Sequence, residues 1–546
     1  MQGWHNSFMI ELQEGDIERA VAALGQPLIE FVCACPFDEL SKRGGVAAAI
    51  VKDINAALAT EVDGKNDPSA MGEYLKHRMG EIINGEVLAL TLHKQAGGVL
   101  ILPTTSDTLD ELVVRLASDC YPLTLLPPDE FFRDMPGRMS SQLASTLFRH
   151  ALTKEFQDLV LADVNLAKVF KHHSETAGYT TPMIYRNTGH GSSLQLWSVL
   201  DIVLGGAWRS RPSAPAPSEI NEFGLLALNR WHLIRDTLTK KTNQRVRARF
   251  AFAGVRLPAA GPYDFDDLVL RQVDARDQEY VPKQLIGQLT SSDASGNSVA
   301  IDYSGDVVAE VQLPYAIRFV DHGPNEFPEF PPELMKLNNT EELSRRLRMS
   351  LLLAVRREHR VQIVPSWQSM DDPLEHVESL GWGDPRQAVG LMPTQLTEAE
   401  VADWQEWYRL LGTPGSERLA IAMSRIIRAV AERRDPVDVL IDSVIAWENL
   451  FGSSQGEPTL RVTASMALLL EKDVQKRLEL RIKLGKIYAL RSKAVHGSSQ
   501  PKPVELSLCY EALEYAIGAL KAVFKERPEL LKDKDGTGRS LKLILE

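Results

Sequence analysis

Residues 486–497 read Lys-Ile-Tyr-Ala-Leu-Arg-Ser-Lys-Ala-Val-His-Gly. On an α-helix, at about 100° per residue from Leu480, the side chains of Leu484, Ile487, Tyr488, Ala494 and Val495 gather within about 120° of arc. Arg491 falls in the middle of that apolar stripe. A guanidinium there needs a partner or must face a functional interface, because an unpaired buried charge is costly. Glu448 poses the same problem on the preceding pattern, on the arc of Val437, Val444, Ile445 and Phe451. The two are natural partners across a helical bundle. His496 closes the last turn, where the helix dipole favours its protonated form, and Gly497 sits where a helix-ending glycine belongs. Arg491 and His496 lie about 140° apart on one ideal helix. Either the helix end is distorted, or a working site combines residues from two copies of the chain.

Outward from this stretch, helical spacing of apolar residues predicts helices over 340–357, 397–411, 416–433, 436–451, 460–470, 473–495 and 503–524. Asp435-Pro436 pairs a capping carboxylate with a first-turn proline. Short connections between long amphipathic helices predict an all-α bundle over 333–546. Two compositional breaks precede it. Residues 209–219 (RSRPSAPAPSE) and 321–332 (DHGPNEFPEFPP) read as linkers. They predict an α+β multidomain chain: a mixed α/β region over 1–208, a β-rich domain over 220–320 and the helical region.

Within 1–208, helices are expected over 46–58 and 70–83. A hairpin is expected from 86–93 and 99–102, and a helix capped by Ser106 follows. In the middle region 247–257, 280–290 and 298–313 partly alternate between polar and apolar residues, the mark of a half-buried sheet.

Composition narrows the function classes. The 546 residues are 44% hydrophobic and 25% charged, which excludes disordered, collagenous and coiled-coil chains. No apolar run approaches the roughly 18 residues of a membrane helix, and the N-terminus lacks a basic start followed by an apolar stretch, so a cytoplasmic protein away from membranes is expected. Four cysteines exclude a disulfide scaffold. A net charge of −12 argues against a nucleic-acid coat protein but leaves room for a local basic patch. Two windows are basic: 230–256 has eight Lys/Arg against one acid, and 471–493 has eight against three. The first reads as a solvated face. Cys33 and Cys35 form a lone CxC without further ligands, and two buried thiols are expected rather than a metal site. His172, His173 and His190 lack accompanying Cys or carboxylate ligands and read as a polar loop, as does Gly189-His190-Gly191. No phosphate-binding Gly-rich loop, GxSxG, HExxH or dinucleotide fingerprint occurs. No metal or cofactor is expected.

Residues 416–496 resemble the HEPN superfamily, specifically its Apea-like group. The resemblance rests on three ordered parts: ERLAIAMSRIIRAVAERRDPVD (417–438), LIDSVIAWENLFG (440–452), with Asp442 and Glu448 at the family's acidic positions, and KIYALRSKAVHG, with Arg491 and His496 separated by four residues. It implies a HEPN-like domain over about 416–525 that dimerises and joins two Arg-x4-His motifs in one cleft. The implied activity is a metal-independent endoribonuclease, in which the RNA 2′-hydroxyl attacks its adjacent phosphate. His496 would be general acid or base. Arg491 would stabilise the phosphorane-like charge with its planar fork. Lys493, about 60° from His496 on the helix, would hold a phosphate. Glu448 would orient Arg491, and Tyr488 would stack a base or fill the core, the second being favoured. The family implies a tRNA or mRNA substrate and a role in antiphage defence or as a toxin. Residues 1–320 would then act as a sensor answering to a phage-derived or nucleotide trigger. The alternative is a non-catalytic HEPN module that binds nucleotide or RNA or serves dimerisation. A third reading, with the activity in 1–208, lacks a supporting motif.

Overall fold

The computed structural model describes residues 12–60, 67–127, 142–170, 183–187, 191–210, 220–240, 244–274, 277, 288–292, 298–302, 305–320, 329–335, 340–357, 360–375, 378–381, 393–453, 457–496 and 502–546. The chain mixes helix and sheet and ends in a helical region.

The N-terminal part is mostly helical. Helices run over Gly45–Leu58, Pro68–Met79, Thr108–Thr124, Ser198–Ser210 and Ile220–Lys240, with shorter ones between. The helix Thr108–Thr124 is buried along nearly its whole length. Its cap is Asp107, not Ser106: the carboxylate accepts from the Leu109 and Asp110 N–H groups at 2.9 and 3.3 Å. The hairpin expected over 86–102 does not form. Glu86–Val87 pairs with Ile82–Ile83, and Leu88–Gln95 is a helix. An apolar run this short suits a strand or a buried helix equally, and packing decides. Here His93 stacks on Phe31 with ring centroids 4.1 Å apart, and its Nδ1 lies 2.6 Å from the Phe31 carbonyl oxygen. Among the described residues, sheet in this region consists of short strands, chiefly Met183–Arg186 with Gly191–Ser193. His172, His173 and His190 lie outside the described residues, as do 211–219 and 321–328.

The middle of the chain forms a six-stranded antiparallel sheet. Its order is Glu378–Gly381, Val364–Met370, Gln244–Ala253, Val307–Tyr315, Leu268–Gln272, Tyr263–Phe265. The stretch expected as one strand over 298–313 is divided. Ser298–Asp302 pairs with Gln288–Ser292 in a separate ladder, while Val307–Tyr315 enters the main sheet. Two strands of this sheet come from beyond residue 333, and Ile317–Val320 pairs with Met183–Arg186. The helix Ile220–Lys240 packs into the N-terminal core, which also takes in Val246, Tyr315 and Ile317. The Pro-rich breaks in the sequence therefore do not coincide with gaps between cores.

The helical region shares one core built from Thr340–Ala354, Glu398–Leu411, Ala420–Ala431, Pro436–Phe451, Pro458–Leu470, Val474–Val495, Leu506–Lys525 and Gly536–Leu545. The first two of these, the lead-in helices, bury opposite sides. Leu343, Leu347, Leu351, Val401, Trp404 and Tyr408 pack on the sheet. Met349, Leu352, Leu353, Trp407 and Leu411 pack on the bundle. The Trp404 indole N–H reaches the Leu347 carbonyl at 3.1 Å and the Ser350 hydroxyl at 2.9 Å, fixing the two helices to each other. No described helix is long and apolar enough to cross a membrane.

Candidate active site at the Arg491 corner

The helix Pro436–Phe451 carries Asp442 and Glu448 on different faces. Asp435 caps it, accepting from the Val437 N–H at 2.8 Å, and Pro436 occupies its first turn. Asp442 is buried and accepts from Arg425 at 2.7 Å and from Arg433 at 2.6 Å. It ties the preceding helix Ala420–Ala431 and its exit to this one, a structural use of charge. Glu448, six residues on, is about 240° round the helix and faces the motif helix Val474–Val495 instead.

Glu448 has two partners there. The Tyr488 hydroxyl donates to Oε1 at 2.6 Å, and the Arg491 Nη2 lies 3.5 Å from Oε2. Tyr488 and Arg491 are three residues apart and so share a face. Burial and the bond to Glu448 push the Tyr488 phenol up to about 12, so it is a neutral donor at physiological pH. The Arg491 and Glu448 side chains are 21% and 31% exposed. The pair expected to be buried is half-buried, with Glu448 in the last turn of the helix Pro436–Phe451. The Arg491 Nε is itself buried and has no acceptor among the described residues. A guanidinium held at one end by a long contact, with a buried donor lacking an acceptor among the described residues, has bonding capacity that an anionic oxygen could fill.

His496 does not join this group. It caps the motif helix with φ −83° and ψ 4°, its backbone N–H donating to the Ser492 carbonyl at 3.1 Å, and its ring is exposed. Lys493 is exposed as well. Gly497 lies outside the described residues. Within one chain, Arg491, Glu448 and Tyr488 come together, while His496 and Lys493 are exposed, about 140° and 160° round the helix from Arg491. Opposite the buried side of the motif helix, Val474, Leu478 and Ile482 are exposed. With His496 they fall within about 80° of arc on an ideal helix. Val495, placed on the buried stripe by its spacing, is exposed too.

The basic window over 230–256 is largely paired. Arg235 meets Asp107 and Asp163, and Arg247 and Arg249 meet Asp371. Arg249 is buried, unlike a solvated face. On the motif helix, by contrast, Lys476, Arg481 and Lys486 are exposed and carry no ion pair among the described residues. Cys33 and Cys35 are buried thiols, and burial pushes Cys33 up to about 12.

Sequence reasoning missed Arg539. Its Nε donates to the Leu450 carbonyl and its Nη2 to the Asn449 carbonyl, both at 2.8 Å. It thereby satisfies the C-terminal carbonyls of the helix that carries Glu448. The available signal was an arginine on the buried side of a short amphipathic helix, Gly536–Leu545. The same anomaly exposed Arg491.

No family model, curated protein or solved structure matches the chain.

Proposed function

We propose that the chain is a metal-independent endoribonuclease of the HEPN type, cleaving tRNA or mRNA through Arg491 and His496. The observation that carries this reading is the Arg491 guanidinium, half-buried, held by Glu448 at 3.5 Å and left with an unused Nε donor. Such a fork suits a phosphate passing through a pentacoordinate state. In the proposed step the 2′-hydroxyl attacks the adjacent phosphorus and the 5′-oxygen leaves. His496 handles the proton, and the products are a 2′,3′-cyclic phosphate and a 5′-hydroxyl. Lys493 holds the phosphate or a flanking one.

Because Arg491 and His496 diverge in one chain, the working site is read as a composite of two copies. The exposed Val474–Leu478–Ile482 row, in line with His496, is the face offered for that homodimer. The biological role proposed is a cytoplasmic antiphage or toxin effector whose first 320 residues restrain it until a phage-derived or nucleotide trigger arrives.

The exposed ring of His496, without a side-chain partner among the described residues, favours a second reading, a non-catalytic HEPN module that binds RNA or nucleotide or only dimerises. Induced expression of wild type, Arg491→Ala and His496→Ala separates the two, scored by growth and by integrity of total RNA. The nuclease reading expects damage from wild type alone, with both variants folded. If His496→Ala harms cells as wild type does, the second reading stands.

A further inference from the structure

A second concentration of positive charge lies away from Arg491, where the lead-in helices meet the bundle. It comprises Arg356 and Arg360, just past the helix Thr340–Ala354, and Lys521 and Lys525 on the helix Leu506–Lys525. Lys525 and Lys521 both sit over the indole of Trp407, with Nζ 4.6 and 5.8 Å from the ring centroid. Two of the four cations have carboxylate partners: Lys525 reaches Glu406 at 3.1 Å, and Arg360 pairs with Glu514. Arg356 and Lys521 form no ion pair among the described residues. Among the described residues the cluster thus carries two positive charges more than its paired carboxylates cancel. Lys521 is half-buried, and its ammonium is disfavoured by burial and then by Arg360, Arg356 and Lys525, with Glu514 opposing them.

Folding gains nothing from crowding like charges around a partly desolvated ammonium. The Trp407 ring and the two carboxylates offset part of that repulsion, and an anion with several acceptor oxygens would offset the rest. Phosphate fits better than a carboxylate, because it can take charge-assisted bonds from guanidinium and ammonium donors on different elements at once.

We propose that Arg356, Arg360, Lys521 and Lys525 form a phosphate-binding site at the seam between the lead-in helices and the bundle, separate from the Arg491 corner. On the helix Leu506–Lys525, the face bearing Glu514, Lys521 and Lys525 lies about 60° round from Glu511, which pairs with Lys483 of the motif helix. Phosphate bound there would link the sheet-bearing part of the chain to the helix adjoining the motif helix. The phosphate could belong to a free polyphosphate or to an RNA backbone, and the experiment distinguishes these.

The test is the thermal midpoint of the full-length chain titrated with inorganic pyrophosphate, for wild type, Arg491→Gln, Arg356→Gln and Lys521→Gln. Without pyrophosphate, Lys521→Gln should melt no lower than wild type, since it relieves repulsion. With pyrophosphate, wild type and Arg491→Gln should rise alike. Apparent affinity should fall about tenfold in Lys521→Gln and in Arg356→Gln, the loss expected for one charge-assisted bond. A parallel titration with single-stranded oligouridylate decides the source. Sensitivity to Lys521→Gln there assigns RNA backbone, and a response confined to pyrophosphate assigns a free polyphosphate. No rise in wild type overturns the proposal. A rise lost in Arg491→Gln but kept in Lys521→Gln does so too. The readout is binding, so it is independent of whether the chain cleaves RNA.

Discussion

Glu448 offers one oxygen to Tyr488 and the other to Arg491, and the shorter contact goes to the neutral partner. The carboxylate is anchored by the phenol and holds the guanidinium loosely. Tyr488→Phe should therefore cost only about 0.5–1.5 kcal/mol in urea unfolding, because Glu448 keeps solvent access and Arg491. Its effect on cleavage should exceed its effect on stability, since Glu448 is then free to turn toward Arg491 and occupy it. Arg491→Lys keeps the charge and loses the fork, and should lower RNA cleavage nearly as far as Arg491→Ala, with the melting temperature little changed in either. Sequence made Arg491 and Glu448 legible because a charge on an apolar stripe is an anomaly that spacing alone reveals. The Tyr488 hydroxyl was not legible, since a tyrosine on the same stripe satisfies the pattern whether or not its oxygen finds a partner. Arg539 could have been found by the reasoning applied to Arg491, but its helix is short and lies at the chain's end.

At the scale of elements, helix ends decide where the site residues sit. Arg539→Met would strip the Asn449 and Leu450 carbonyls of their donors at a buried end, costing about 1–3 kcal/mol for each carbonyl left unsatisfied. Hydrogen exchange should show the last turn of Pro436–Phe451, with Glu448 on it, opening first. The helix Glu398–Leu411 gives a pH prediction. Thr397 and Glu400 form its capping box, and Glu400 also binds Arg357. The Arg357 bond, with help from the Thr397 N–H and hydroxyl, holds the Glu400 carboxyl at about 2. A carboxyl lower in the folded than in the unfolded chain stabilises above its ordinary value of 4.5. That contribution is lost as pH falls toward 2. Glu400→Gln should thus have the lower urea midpoint at pH 6, and the gap to wild type should close on acidification below about 4.5. The long helices of the last segment were legible because three or more turns of apolar spacing leave little choice. The stretch 86–102 was not, because its short apolar runs fit strand and helix alike until Phe31 receives His93.

For the whole molecule, connectivity departs furthest from a linear reading. Val364–Met370 was unmarked in sequence, yet it lies beside Gln244–Ala253 inside the main sheet. Long-range pairing of this kind leaves no local trace. The lead-in helices were read as the start of the bundle, and they are also the cover of the sheet, so a displacement of the sheet has a packed route to the bundle. The exposed row Val474, Leu478 and Ile482 carries the prediction at this scale. Ile482→Asp should leave the fold intact, because the side chain is already half exposed, and should shift the mass in solution from dimer to monomer. If the dimer is the working unit, cleavage should fall with it. A dimer of unchanged mass would contradict this face as the contact, and a monomeric wild type would contradict the proposed homodimer.

The central claim is tested most directly by incubating total cellular RNA with the purified full-length chain in EDTA, wild type beside His496→Ala, both verified for folding and mass, with and without phage-infected lysate. The account predicts cleavage by wild type that is indifferent to chelation and leaves 2′,3′-cyclic phosphate ends, reduced at least about 100-fold in His496→Ala. Intact RNA under both conditions from a well-folded wild type, or cleavage by His496→Ala at the wild-type rate, would contradict it.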